Sequence, residues 1–176
     1  MEFMEISVQG LDSLKIRGKH AALFINPQDK TSSYNAAILL GHPAVSSLKI
    51  RDDVVIIDGP GEYEAGGIKI TGIKSEENVV YSISLDNTDI LVGDRGSIEK
   101  IQQKLKEYQV VIIRAGDEGN ASFAPSVGMN AVIIYGEHAR AVVDTVAKDE
   151  KKETTKYVLT RDKLPAETET VLLKSD

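Results

Sequence analysis

The chain has 176 residues, no cysteine and a formal net charge of −6. This length suits one domain with a single core. The lack of cysteine excludes disulfides, thiolate-bound zinc, iron–sulfur clusters and thiol nucleophiles. Acidic and basic residues are interleaved, so the sequence predicts no positive surface that would gather nucleic acid.

The start of the chain predicts a soluble, unprocessed protein of the cytoplasm. The opening stretch MEFMEISVQG carries acidic residues where a signal peptide needs basic ones. No apolar run approaches the roughly 20 residues that span a bilayer. The lack of cysteine also suits a reducing compartment. We therefore expect one domain over residues 1–176, with no membrane partner.

Short strands dominate the first two thirds of the sequence. Three strands with tight turns are predicted between Met4 and Ile25, where apolar residues alternate or cluster. Asp86 and Asn87 join two later apolar runs as a two-residue hairpin turn would. The further predicted strands are Ala36–Leu40, Val54–Ile57, Gly61–Ala65, Ile68–Ile73, Val79–Leu85 and Thr88–Val92.

Strands and helices alternate in the last third. The runs VVIIR (Val110–Arg114) and AVIIY (Ala131–Tyr135) are typical of strands buried on both faces. A helix beginning at Ser97 is predicted between the hairpin and the first of these runs, and a second helix from Glu137 to Lys148. The apolar stripe of the first helix would consist of Ile98, Ile101, Leu105 and Tyr108.

Three connecting segments complete the prediction. A long polar loop, 115–130, separates the two buried strands, and a loop of that length is usually functional or mobile. Its acidic residues argue against a phosphate-binding role. Alternating charges from Lys148 to Tyr157 predict a solvated connection. The stretches KYVLTRDKLP and ETVLLK read as closing strands.

The segment VIIDGPGEYEAGGIKITGI, Val55 to Ile73, resembles a hairpin of the metallo-β-lactamase superfamily. The likeness is to its short bacterial and archaeal members, similar to ascorbate-6-phosphate lactonases. ILVGDRGS resembles the G-D-x-G turn of that group, and NAVIIYGE resembles its late strand. The resemblance follows the whole chain in order. It implies an α/β (α+β) fold, a four-layer αββα sandwich with its site at the strand ends between the two sheets.

The metal motif of the family is degenerate in this sequence. Members of this kind hold one or two ions, typically zinc, on an H-x-H-x-D-H loop and further histidines. The ion lowers the pKa of a bound water to about 7. LLGHPAVSS stands in place of the loop and keeps only His42, with Ala44 and Val45 where an aspartate and a histidine are expected.

Two other family positions are also altered. Leu11-Asp12-Ser13 stands where a G-H-S turn is common, and Gly136 aligns with the final histidine. Asp94 does match the metal-bridging aspartate, and its neighbour Arg95 could form an ion pair with it in place of a cation. Asp94 could equally be a turn residue that caps backbone donors.

Two further sets of residues have more than one interpretation. His42 is a loop histidine without metal, a surviving ligand in a reduced site with Asp94 and His138, or a catalytic histidine of another sort. Glu62 and Glu64 share a face of a predicted strand, so they could form a carboxylate pair. The other interpretation is a structural hairpin that binds no metal.

The sequence therefore favours a non-catalytic, metal-free protein of this fold, with a binding or assembly role and no cofactor. Its partner would be a second copy of the chain or another protein. This hypothesis predicts that the cleft that holds the metal in the family is filled here by Leu40, Val45 and Tyr135, or that it is covered by a neighbouring subunit.

The alternative is a metal-dependent hydrolase acting on a small ester, lactone or phosphorylated substrate. It would hold zinc or manganese on a reduced set of ligands and requires these side chains to converge on one ion. The candidate ligands are His42, Asp94, Asp117 and His138.

Overall fold

Two β-sheets packed face to face make up most of the computed structural model, which describes residues 3–116, 129–146, 151–160 and 167–175. The first sheet contains β1 (Phe3–Gly10), β2 (Ser13–Arg17), β3 (Ala22–Ile25), β4 (Ala36–Ile38), β5 (Val55–Ile57) and β13 (Lys156–Thr160), in the order β13-β1-β2-β3-β4-β5.

The second sheet is the larger one among the described residues. It contains β6 (Gly61–Ala65), β7 (Ile68–Ser75), β8 (Asn78–Leu85), β9 (Thr88–Asp94), β10 (Val110–Arg114), β11 (Ala131–Tyr135), β12 (Lys152–Thr154) and β14 (Glu169–Leu173), in the order β12-β14-β11-β10-β9-β8-β7-β6. Two α-helices, α1 (Arg95–Ile101) and α2 (Ala139–Val146), and two short 3-10 turns, Val45–Ser47 and Gln102–Lys104, complete the described elements.

Alternating side chains of the second sheet build two cores. On β9, Ile90 and Val92 point towards the first sheet, whereas Leu91 points towards the helices. The same alternation holds for β10 and β11, since successive side chains of a strand point to opposite faces. The prediction that these two strands are buried on both faces is confirmed.

A third, smaller cluster covers part of the outer face of the first sheet. Phe24 on β3 meets Tyr34 edge to face, with ring centroids 4.8 Å apart. The segment between β3 and β5 therefore covers this face, and both described α-helices pack on the second sheet. Neither described helix has the length and apolarity needed to cross a membrane. The predicted fold, a compact α/β sandwich with two sheets, is confirmed.

The predicted hairpin turns are also present. Asp86 and Asn87 both have positive φ, 50° and 60°, as the favoured two-residue hairpin turn requires. Glu62 and Glu64 lie on the edge strand β6, opposite Thr71 and Lys69 of β7. The predicted hairpin is confirmed, since β6 and β7 pair antiparallel. Neither glutamate belongs to a group of described side chains that could hold a metal.

The predicted bounds of the first helix are wrong. The helix begins at Arg95, so Ser97 is a buried helical residue whose carbonyl oxygen accepts a 2.7 Å bond from Ser75 Oγ. It ends at Ile101, because the chain must return to the sheet, where the Gln109 amide donates to the Asp89 carbonyl. Tyr108 is still buried on the helix side, but it lies outside any helix.

Two predictions near the end of the chain also change. The second helix begins at Ala139, two residues after Glu137, and residues 147 and 148 of its predicted range lie outside the described residues. The charged run predicted as a solvated connection includes the strand β12, parallel to β14. A charged sequence can form a strand there because β12 is an edge strand, with one side open to water.

Candidate functional site

Polar side chains gather where the parallel strands of both sheets end. Asp94 and Arg114 are the last residues of β9 and β10, and they are register partners; Tyr135, at the end of β11, is the partner of Arg114 on its other side. Asn26 follows β3 in the first sheet, and Gly41 follows β4. The carboxyl ends of parallel strands are the usual place for a site in folds of this kind.

Arg114 lies at the centre of this group. Its Nη1 donates a 2.9 Å hydrogen bond to Oδ1 of Asp94, and its Nε donates to Oδ1 of Asp12. The side chain is only 18% exposed. Asp12 belongs to the turn between β1 and β2, so its ion pair with the guanidinium joins the two sheets, whereas the ion pair with Asp94 lies within the second sheet.

A buried asparagine holds Asp12 in position. Nδ2 of Asn26 donates to Oδ2 of Asp12 at 3.0 Å and to the carbonyl oxygen of Leu40 at 2.8 Å. Oδ1 of Asn26 accepts a 2.9 Å bond from the Leu40 amide. The first sheet therefore presents a fixed carboxylate to Arg114.

Gly41 gives the guanidinium its space. A Cβ at this position would lie 2.5 Å from Nη1 of Arg114, and the φ of +77° also disfavours a side chain. Gly116 makes a similar approach, where a Cβ would lie 2.9 Å from the same nitrogen. The glycine of the LLGHP stretch thus leaves room for the Arg114 side chain in the cleft.

The electrostatics of the cluster fix its charges. Burial lowers the pKa of Arg114, but the hydrogen bond to Asp12 and the negative charges of Asp12 and Asp94 outweigh burial and raise that pKa. Arg114 therefore stays positively charged. Burial raises the pKa of Tyr135, and the charge of Asp12 adds to this effect, so the phenol stays neutral. Among the described residues the Tyr135 hydroxyl has no hydrogen-bond partner.

The candidate ligands predicted for the hydrolase do not come together in the described part of the chain. Nε2 of His42 lies 3.1 Å from the carbonyl oxygen of Glu77, and His42 is exposed. His138 precedes α2, and its amide donates to the carbonyl of Ala115. Asp117 lies outside the described residues. No three histidine, aspartate or glutamate side chains among the described residues could hold one ion.

The backbone at Gly136 leaves little room for a side chain. Its φ is +112°, and a Cβ there would lie 2.9 Å from the carbonyl oxygen of Ala115. A histidine at this position would need the neighbouring backbone to move.

Two other predictions about the cleft are wrong. Arg95 does not neutralise Asp94, because its Nη1 donates to Oγ1 of Thr145 on α2. Val45 does not fill the cleft, since it lies in an exposed 3-10 turn and is 62% exposed. Leu40 and Tyr135 are buried in the core between the sheets, as predicted.

Comparison with known proteins identifies solved structures that have a similar fold. No protein-family model matches the chain, and no curated protein matches it. A candidate zinc-dependent hydrolase of the metallo-β-lactamase superfamily from Thermotoga maritima superposes with a TM-score of 0.68 at 16% identity, over 97% of this chain and 98% of that chain. This chain has the metallo-β-lactamase fold.

Two further solved structures share the metallo-β-lactamase fold with this chain at lower similarity. The metallo-β-lactamase fold protein YhfI from Bacillus subtilis superposes with a TM-score of 0.58 at 10% identity, over 99% of this chain and 98% of that chain. A candidate metal-dependent hydrolase from Parabacteroides distasonis superposes with a TM-score of 0.51 at 9% identity, over 76% of this chain and 82% of that chain.

A metal ion, which the fold family implies, does not fit the described residues of this cleft. A divalent cation needs imidazole or carboxylate donors with free lone pairs. Asp12 and Asp94 instead point their carboxylates at a guanidinium, which repels a second cation. Neither carboxylate belongs to a group of three described histidine, aspartate or glutamate side chains that could hold an ion.

Proposed function

We propose that this chain is a cytoplasmic, metal-free protein of the metallo-β-lactamase fold, with a binding or assembly role rather than hydrolase chemistry. The observation that carries the proposal is the contact of Arg114 with both Asp12 and Asp94. A metal ion at such a site would turn bound water into a nucleophile at neutral pH. A guanidinium supplies the positive charge but has no open coordination position for water.

Metal content tests this proposal directly. The full chain is loaded with zinc and manganese, desalted and measured by inductively coupled plasma mass spectrometry. We expect a metal content near zero. About one equivalent per chain, abolished by His42→Ala and retained in the matched control His20→Ala, would overturn the proposal.

That contrary result would favour the alternative, a zinc- or manganese-dependent hydrolase of a small ester, lactone or phosphorylated substrate. The resemblance to two candidate hydrolases supports the alternative only through the shared fold. It needs His42, Asp94 and His138 to converge on one ion, and these described side chains form no such group. Its fourth candidate ligand, Asp117, lies outside the described residues.

The edges of the two sheets support an assembly role. Most edge strands of the described residues carry charged side chains, which discourage pairing with another chain. These charged residues are Glu62 and Glu64 on β6, Lys152 and Glu153 on β12, and Lys156 on β13. The edge strand β5 is different, since it reads VII and exposes Val55 and Ile56, which are 41% and 53% accessible.

The backbone of β5 is also open on one side. The Val55 amide donates to the carbonyl of Asn35, and the Ile57 carbonyl accepts from the Leu39 amide, so these two residues face β4. The N–H and C=O of Ile56 then point away from the sheet. In an antiparallel pair of two β5 strands, the two Ile56 residues would exchange both hydrogen bonds. We propose a homo-oligomer formed through this edge.

A further inference from the structure

A cavity of about 310 Å³ opens on the first sheet, at the end opposite Arg114. Its lining includes Phe3 on β1 and the turn between β2 and β3, and we call it the Lys19 cavity after a residue of that turn. The strand β3 starts beside the cavity at Ala22 and leads to Asn26 in the Arg114 cluster. At about 3.3 Å per residue, the two places are about 13 Å apart.

The walls of the Lys19 cavity include several basic side chains. Arg17, Lys19 and His20 all line it, in a chain whose net charge is −6. Arg17 is paired with Glu5 at 3.1 Å, and Glu5 is shared with Lys156 at 3.5 Å. Among the described residues the Lys19 ammonium makes no ion pair. One positive charge beside the cavity therefore has no ion-pair partner among these residues, and the nearby Asp86 carboxylate accepts a hydrogen bond from the Lys19 amide instead.

The turn that carries these basic side chains is held in one conformation. The carboxylate of Asp86 accepts a 2.7 Å bond from the Lys19 amide, and the Gly18 amide donates to the carbonyl of Ala21 at 2.8 Å. A Cβ on Gly18 would lie 2.3 Å from Oδ2 of Asp86. A preformed site loses less conformational entropy when it binds a ligand. The backbone that carries Lys19 and His20 is therefore fixed before a ligand binds.

The back wall of the Lys19 cavity is fixed in the same way. Oδ1 of Asn35 accepts a 3.0 Å bond from the Ala22 amide, and the Asn35 amide donates to the Ala22 carbonyl at 2.8 Å. The remaining wall is aromatic. The ring of Phe3 is exposed, and the Arg17 guanidinium lies 5.8 Å from its centroid. An apolar surface therefore adjoins the positive one.

We propose that the Lys19 cavity binds a small organic anion, a carboxylate or phosphate monoester that carries a flat apolar group. The anion contacts the Lys19 ammonium, because charge-assisted hydrogen bonds are the strong ones, and an N–H of the His20 ring is a second donor. The flat group packs against Phe3. This site goes beyond the proposed metal-free role, which concerns the cleft at Arg114, and the two proposals can fail separately.

Phenyl phosphate and inorganic phosphate are suitable probes, with binding to the full chain measured by isothermal titration calorimetry. We expect phenyl phosphate to bind and Lys19→Ala to weaken the affinity about tenfold, or about 1.4 kcal/mol. The matched control Lys104→Ala removes the same charge from the exposed 3-10 turn after α1 and should leave the affinity unchanged. Equal weakening by both variants, or no binding at millimolar concentration, would overturn the proposal.

A second variant tests the aromatic wall. Phe3→Ala should remove the preference for phenyl phosphate over inorganic phosphate while leaving the affinity for inorganic phosphate unchanged. Amide chemical shifts in nuclear magnetic resonance spectra should move at residues 17–20 and not at Arg114. Shifts confined to the Arg114 cluster would contradict the proposal, as would an unchanged preference in Phe3→Ala.

Discussion

Arg114 supplies the positive charge between the carboxylates of Asp12 and Asp94, and its loss would leave both carboxylates facing each other in a half-buried cleft. Removing one partner of a buried ion pair costs several kcal/mol, because the other partner stays desolvated. Since this site is only partly buried, we expect Arg114→Ala to lower the free energy of unfolding by about 2–4 kcal/mol. Urea denaturation measures the change.

An exposed arginine provides the control for this prediction. Arg140 pairs with Glu153 at 2.9 Å, and Glu153 keeps a second partner in Lys174 at 3.0 Å. Exposed pairs contribute at most about 1 kcal/mol. Arg140→Ala should therefore change the free energy of unfolding little. Similar losses of stability in both variants would show that the ion pairs of Arg114 contribute no more than an exposed ion pair does.

Gly41 is the second residue on which the cluster depends. An alanine at this position would combine a strained backbone, φ +77°, with a Cβ 2.5 Å from Nη1 of Arg114. Gly67 has a similar φ of +87°, but a Cβ there would meet nothing within 4 Å. Both variants carry the backbone cost of about 1–2 kcal/mol. Overpacking should make Gly41→Ala less stable than Gly67→Ala by at least about 1 kcal/mol, as thermal unfolding would show.

The residues of the cleft also show what sequence alone could not give. Arg114 ends a predicted buried strand, and a polar residue at the end of a parallel strand is a signal for a site. Its partner Asp12 is 102 residues away in the sequence, so no local pattern joins them. Adjacency suggested Arg95 instead, but consecutive residues at a strand-to-helix junction point in different directions. The resemblance predicted an altered metal motif, whereas nothing in the sequence predicted the arginine between the carboxylates.

At the scale of elements, β5 is the edge strand among the described residues that carries no charged side chain, so it is open to pairing with a second chain. Ile56→Lys would place a charge on that edge and so disrupt pairing between two chains. We expect analytical ultracentrifugation to find oligomers of the unmodified chain and monomers of the variant. Circular dichroism would check that the variant folds.

The opposite edge of the same sheet offers a matched control. Val158 on β13 is also exposed, but this strand already carries Lys156. Val158→Lys should leave the oligomers intact. A chain that is monomeric at every concentration, or that assembles equally well with Ile56→Lys, would contradict assembly through β5.

Strands were more predictable than helix ends because a strand's pattern is local. The alternation that gives β7 and β8 appears directly in the sequence, and Asp86-Asn87 adds a turn with a clear backbone requirement. The end of α1 depends instead on where the chain must rejoin β9, a tertiary demand that helical periodicity does not contain. The strand β12 was missed because its charges are allowed only by its position at an edge.

At the scale of the whole molecule, polar bridges join the two sheets at both ends of the apolar core. Arg114 reaches Asp12 at one end. At the other, the Tyr157 hydroxyl on β13 donates a 2.6 Å bond to Oε2 of Glu169, the first residue of β14. Burial raises the pKa of Tyr157, and the hydrogen bond to Glu169 adds to this, so the phenol remains a donor at neutral pH.

The distance between the two bridges predicts that they act independently. Glu169 is the register partner of Ala131 at the start of β11, and Arg114 is the partner of Tyr135 at its end. These positions are about 13 Å apart along the strand. Sites that far apart, with no shared partner, usually add within about 0.5 kcal/mol. The effects of Arg114→Ala and Tyr157→Phe on the free energy of unfolding should therefore sum.

A second double-mutant cycle gives the contrast that makes this test decisive. Arg114→Ala and Asp94→Asn remove two halves of one ion pair, so their combined loss of stability should be smaller than the sum of the single losses by about 1 kcal/mol or more. Urea denaturation of each set of variants measures both cycles. Coupling between Arg114 and Tyr157 as strong as that between Arg114 and Asp94 would mean that the sheets shift as rigid units when either bridge is lost. Additivity would mean that the core between the bridges fixes the sheets and each bridge stabilises only its own end.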